Sequence, residues 1–145
     1  MSSTASSILA AIKSALEGVS GLSADKVVRG FPSDSSTPPI AWVAMDQLTV
    51  EHGPELGGSS TTLSVNVWAS PTSDGSTHAI REDACMDLTT AMIAAMQNSA
   101  TLLALLMSPP VCASKADVQG AGGPGTPLIV IVVECKYLLD YGSGV

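Results

Sequence analysis

The sequence is short of charge and of the side chains that usually perform chemistry. Charged residues make up 13% of its 145 positions, against about 25% in an average soluble protein. So few charges coat a free-standing surface poorly. They point to a partner that covers part of it, and a second copy is the simplest partner. Basic residues are the scarcer kind, with 6 Lys and Arg against 13 Asp and Glu, for a net charge of -7. That field repels phosphate backbones, and no cluster of Lys and Arg offsets it, which argues against nucleic-acid recognition.

Cysteine is equally uninformative as a framework. The three thiols, Cys85, Cys112 and Cys135, are odd in number, widely spaced and free of any C-x-x-C pair. This pattern excludes a disulfide scaffold and gives no zinc or redox motif. They read as small, reduced core residues of a cytoplasmic protein. Long apolar runs are missing too. The longest, Leu128 to Val133, falls far short of the roughly 20 residues a membrane span needs. Met1 to Ser7 is Ser/Thr-rich and uncharged, unlike a signal peptide. The expectation is a soluble protein.

What the sequence does have is periodicity. Its length suits one domain over residues 1–145, large enough to bury roughly 70% of its unfolded surface. Ile8, Ala11, Ile12, Ala15, Leu16 and Val19 recur at helical spacing, which predicts an amphipathic helix from Thr4 to Glu17. Val27 to Phe31 is a short strand candidate. Ile40 to Asp46, continued by Gln47 to Glu51, is the next. His52 to Ser60, with two Gly in succession, reads as a long hairpin connection. Thr62 to Ala69 alternates cleanly, with Leu63, Val65, Val67 and Ala69 on one side. A second helix is expected from about Thr77 to Asn98, burying Ile80, Ala84, Leu88, Ala91, Met92 and Ala95. Val111 to Val118 and Leu128 to Tyr137 are the last strands, joined by a Gly-rich loop from Gln119 to Pro127. Because Leu128 to Val133 is apolar on both faces, it must be covered on both faces. Strands cluster instead of alternating with helices. The expected fold is α+β: a mainly antiparallel or mixed sheet with two α-helices packed on one face.

The search for chemistry is negative. His52 sits beside Glu51 in a Gly/Pro stretch, and His78 lies one turn before Glu82. The sequence around them spells neither the orienting motif of a general base nor the third ligand of a metal site. Gly120, Gly122 and Gly123 belong to a loop that opens into a strand and lacks the lysine of a phosphate-binding loop. No Ser lies in a G-x-S-x-G elbow. Glu82 and Asp83 read as an exposed helix face, and Trp42 and Trp68 as packing anchors. No catalytic, metal-binding or cofactor-binding residue is expected.

The order of elements is similar to that of the tail terminators of long-tailed bacteriophages, also called tail-to-head joining or tail completion proteins. The matching points are the N-terminal amphipathic helix, the strand ending in Gly30-Phe31-Pro32, and Pro39-Ile40-Ala41-Trp42-Val43. Thr61 to Pro71 resembles that family's central strand, which leads into a long helix. The likeness covers nearly the whole chain but consists of burial patterns. It implies a homo-oligomeric ring, a hexamer, at the tail–neck junction of a virion. Such a ring caps the tail tube, stops its polymerisation and meets the head-tail connector. It also implies no enzymatic activity, no cofactor and no membrane. The loops carrying Glu51, His52 and Glu55, and Gly120, Gly122 and Gly123, are the expected partner contacts. The alternatives are another neck or head-closure ring subunit, or a small ligand-binding domain or enzyme using His52 or His78.

Overall fold

A computed structural model describes residues 4–32, 38–52, 58–71, 77–118 and 127–140. Helix α1 (Thr4–Glu17) is followed by a 3-10 turn (Ala24–Lys26) and strand β1 (Val27–Arg29). Strands β2 (Ile40–His52) and β3 (Gly58–Ser70) come next. Helices α2 (His78–Gln97) and α3 (Ala100–Leu103) precede β4 (Val111–Asp117) and β5 (Leu128–Asp140). The five strands form one mixed sheet in the order β1-β2-β3-β5-β4. Only the β1–β2 pair is parallel. The fold is α+β, as the clustering of strands predicts.

Alternation along β3 and β5 divides the sheet into two faces. Leu63, Val65, Val67 and Ala69 of β3 are fully buried, with Ile129, Ile131, Val133 and Cys135 of β5 beside them. They join Ile8, Leu9, Ile12 and Leu16 of α1, Met92 and Met96 of α2 and Leu102 of α3 in one core cluster. The helices therefore lie on this face. Thr77 caps α2, its Oγ1 accepting from the Ile80 N–H at 3.4 Å, and Ser99 caps α3 in the same way through the Leu102 N–H at 3.2 Å. Each cap satisfies one of the donors that a helix start leaves free.

Two expectations need correcting. Helix α2 buries only part of the predicted stripe: Met92 is fully buried and Leu88 and Ala95 pack partly buried against the core, but Ile80 is 55% exposed and Ala91 is exposed, while Cys85 and Met96, outside the stripe, are buried. The buried line is rotated by roughly a quarter turn. Alanines on several sides of α2 make its apolar periodicity weak, so the sheet and not the pattern decides which side turns inward. The strand bounds also differ: β2 reaches His52, β3 begins at Gly58 and β5 runs on to Asp140, whereas β1 and β4 stop short of the predicted ends, at Arg29 and Asp117. Leu48 and Val50 alternate with polar neighbours along β2, and both are exposed.

Element lengths explain the exposure. Helices α1 and α2 have 14 and 20 residues and span about 21 and 30 Å at ~1.5 Å per residue. Strands β2 and β3 have 13 each and span about 43 Å at ~3.3 Å per residue. A helix layer of this length leaves part of such strands bare. The bare part is the distal half of β2, where Met45 through Glu51 are all exposed. A register shift between Met45 and Gln47 marks a bulge at Asp46, a device that bends and twists the strand.

One buried group is out of place. Thr61 has no exposed surface, and its Oγ1 has no hydrogen-bond partner. A buried, unpaired hydroxyl costs about 1–3 kcal/mol. Thr61→Val should therefore raise stability by ~1 kcal/mol, whereas Ile131→Ala should lower it by about 2–5 kcal/mol through the cavity it leaves. Urea-unfolding midpoints at constant slope test the two opposite signs.

Candidate functional site

Among the described residues, the sheet's second face carries no helix. Across the register, Val28, Trp42, Trp68, Val130 and Lys115 form one row, with Ala44, Asn66, Val132 and Ala113 in the next. This face is apolar at its centre. Trp42 is buried, whereas Trp68, Val130 and Val132 are only partly covered. Phe31 leans on Trp68 with ring centroids 5.5 Å apart and remains 71% exposed. Val28 and Val111 are exposed at the two margins. An accessible apolar surface of this kind, rimmed by polar residues, is the usual mark of an interaction site.

The two margins of the sheet differ. On one side, β1 pairs with β2 only over Ala41 to Val43. The Gly30 N–H donates to the Val43 carbonyl at 2.9 Å, and Gly30 then turns the chain away at φ +134°, a conformation open to Gly and strained for other residues. From Ala44 onward, β2 has no second strand beside it among the described residues. Its helix-side residues there, Met45, Leu48 and Val50, are 51%, 45% and 43% exposed. On the other side, β4 pairs only with β5 among the described residues, and all seven of its residues are at least partly exposed. An open cleft of about 580 Å³ separates β4 from α2, lined by Cys85, Met86, Ile93, Ala116 and Val118 among others.

Of the predicted contact residues, Glu51 is exposed near the end of β2, opposite Ser60. His52 ends the strand opposite Ser59, and its side chain lies outside the described residues. Glu55, Gly120, Gly122 and Gly123 also lie outside them. His78 is the first residue of α2, on the surface, with Nε2 3.5 Å from Glu82 Oε2 and both side chains more than half exposed. It lines none of the described clefts. The apolar edge at Met45, Leu48 and Val50 was missed because a strand's alternation does not report how far the covering layer extends. Comparing predicted strand and helix lengths would have found it.

The thiols are built as core groups. All three are free. Burial pushes the Cys135 thiol up to about 12, with nearby Cys112 adding to the rise. Burial likewise raises Cys85, helped by Glu82, and raises Cys112. A raised value keeps the reactive thiolate scarce. Among the described residues no three His, Cys, Asp or Glu side chains gather as a metal site would require. No helix among them is long and apolar enough to cross a membrane.

No known family model matches the chain, and no curated protein sequence is significantly similar to it.

Two outcomes follow from these groups. The folded state holds its cysteine protons more tightly than the unfolded chain, so stability is intact below pH ~9 and falls as pH rises from there toward 12. Thermal melts at pH 8 and pH 10.5 should show the lower Tm at the higher pH, and replacing Cys135 with Ala should flatten that slope. His78→Ala removes an exposed contact and should change stability by less than ~0.5 kcal/mol, as a denaturant titration would show.

Proposed function

We propose that the protein is a structural subunit of a ring that caps the tail tube of a long-tailed bacteriophage, halts the tube's polymerisation and joins tail to head. The observation that carries this reading is the sheet's second face, apolar at its centre and without a helix to cover it among the described residues. A chain with 13% charged residues that leaves such a face accessible suits a protein that works by being packed against. The likeness of its element order to tail terminators supplies the identity of the assembly. On this reading the partners are further copies of the chain, the major tail tube protein and the head-tail connector, and the site of action is the tail–neck junction of the virion. The protein acts through surfaces, with no catalytic residue and no cofactor.

A ring built by rotation uses two different patches of each subunit, which meet head to tail and close. The two unlike margins of this sheet suit that requirement better than they suit a two-fold dimer, which pairs one patch with itself. The segments beyond β2 and before β5, with Glu55, Gly120, Gly122 and Gly123, are assigned to the tube and connector.

The test is the native mass. A hexamer of 14.7 kDa subunits weighs about 88 kDa, six times the subunit. Sedimentation equilibrium should find a closed species near that mass, visible as a ring by electron microscopy. Added to polymerising tail tubes, the protein should bind their tips and shorten them. A stable dimer that ignores tubes would overturn the reading, and turnover that depends on His78 or His52 would replace it with an enzymatic one.

A further inference from the structure

We infer that the subunits join edge to edge, the distal half of β2 in one copy adding as a strand to β4 of the next, so that the sheets run on around the ring. The inference rests on the ring reading and names the surface that would build it.

Among the described residues the two margins are open, and they are comparable in length. Strand β4 offers seven residues, Val111–Asp117. Strand β2 offers the nine from Ala44 to His52, which β1 leaves free. Each edge presents a row of backbone donors and acceptors that a strand of another chain can take up. Direction agrees with rotational symmetry. Strands β2 and β5 both run antiparallel to β3, and β4 runs antiparallel to β5, so β2 and β4 point opposite ways. Copies related by an axis along the strands keep these directions. The incoming β2 therefore meets β4 antiparallel, the pairing that antiparallel sheets use throughout.

Side chains agree as well. In the continued sheet, the helix-side residues of the incoming strand fall on the helix side of β4. That places Met45, Leu48 and Val50, exposed in the single chain, against the cleft between β4 and α2. The cleft's walls mix apolar groups such as Met86, Ile93 and Val118, which can receive the three incoming side chains, with polar ones such as Glu82, Thr89 and Ser114 at its rim. Adjacent copies thus bury on each other the surface that the short helix layer leaves bare. On the opposite face, Lys115 stands on β4 across from Val130, and Glu51 shares that face on the incoming strand through its partner Ser60. The free half of β2 carries two acids, Asp46 and Glu51, while β4 carries a base at its middle, Lys115, and an acid at its end, Asp117, so the pairing is favourable where Glu51 falls beside Lys115. Opposite charges in cross-strand or diagonal positions attract, and like charges there repel.

The test compares wild type, Leu48→Asp, Lys115→Glu, Glu51→Lys and the Lys115→Glu/Glu51→Lys double variant by sedimentation velocity, with circular dichroism melts to confirm folding. The three substituted positions are exposed, so all variants should melt close to wild type. Leu48→Asp should abolish assembly. Each single charge reversal should raise the concentration needed for assembly at least tenfold, and the double variant should return it to near the wild-type value. Hydrogen exchange at residues 45–51 and 111–117 should slow on assembly. If wild type forms rings and the variants do so equally well, the edge pairing falls while the ring reading stands. A double variant that stays dissociated while both singles fail also overturns the pairing. A wild type that assembles neither alone nor on tail tubes overturns both.

Discussion

Everything distinctive here depends on one layer of helices packing against one face of a sheet whose strands outrun it. Burial of Leu63, Val65, Val67, Ile129, Ile131 and Val133 against α1, α2 and α3 supplies the core. Ser70, buried at the end of β3, donates to the Pro127 carbonyl at 2.6 Å and ties that end to the start of β5. The same arrangement creates the surplus. Thirteen-residue strands under helices of fourteen and twenty residues leave apolar side chains uncovered at one end, and the absence of a second layer among the described residues leaves the opposite face accessible. The features that read as functional are what remains once the core is complete.

Most of the fold was legible because its signals are local. Helix α1 has both predicted ends because its stripe is strong and two Gly follow it closely. Strand β3 was clear because Leu63, Val65, Val67 and Ala69 alternate without exception and the structure buries all four. Helix α2 was placed correctly along the chain but only partly so about its axis. Ala84, Ala91 and Ala95 are small enough to sit on any side, so only the larger Met92 and Met96 mark the packed face, and a pattern built on all apolar residues averages them away. The start of β3 was underestimated where polar residues such as Ser60 and Thr61 continue the ladder, because backbone pairing does not need apolar side chains.

The surface was less legible for a different reason. Val130 and Val132 were expected to need cover on the second face, and the structure leaves them partly accessible with no helix above them among the described residues. The open edge at Ala44 to His52 has no signature of its own in the sequence. It arises where Gly30 takes β1 away from β2 after three paired residues, a consequence of one backbone angle that residue types alone do not announce.

The placement of charge on the two margins has a further consequence for solubility. An uncovered strand edge is a template for any other edge, and an indiscriminate one leads to fibres and precipitates. Two distal β2 edges meeting antiparallel bring the acids Asp46 and Glu51 of one copy near those of the other, and no base lies among residues 44–51 to offset them. Two β2 margins therefore repel, whereas β4, with Lys115 and Asp117 two residues apart on one face, can accept an acid. A newly made chain carries this discrimination before it meets any other protein, and the longer of its two adhesive margins bars one of the collisions most frequent in a crowded pool of identical copies.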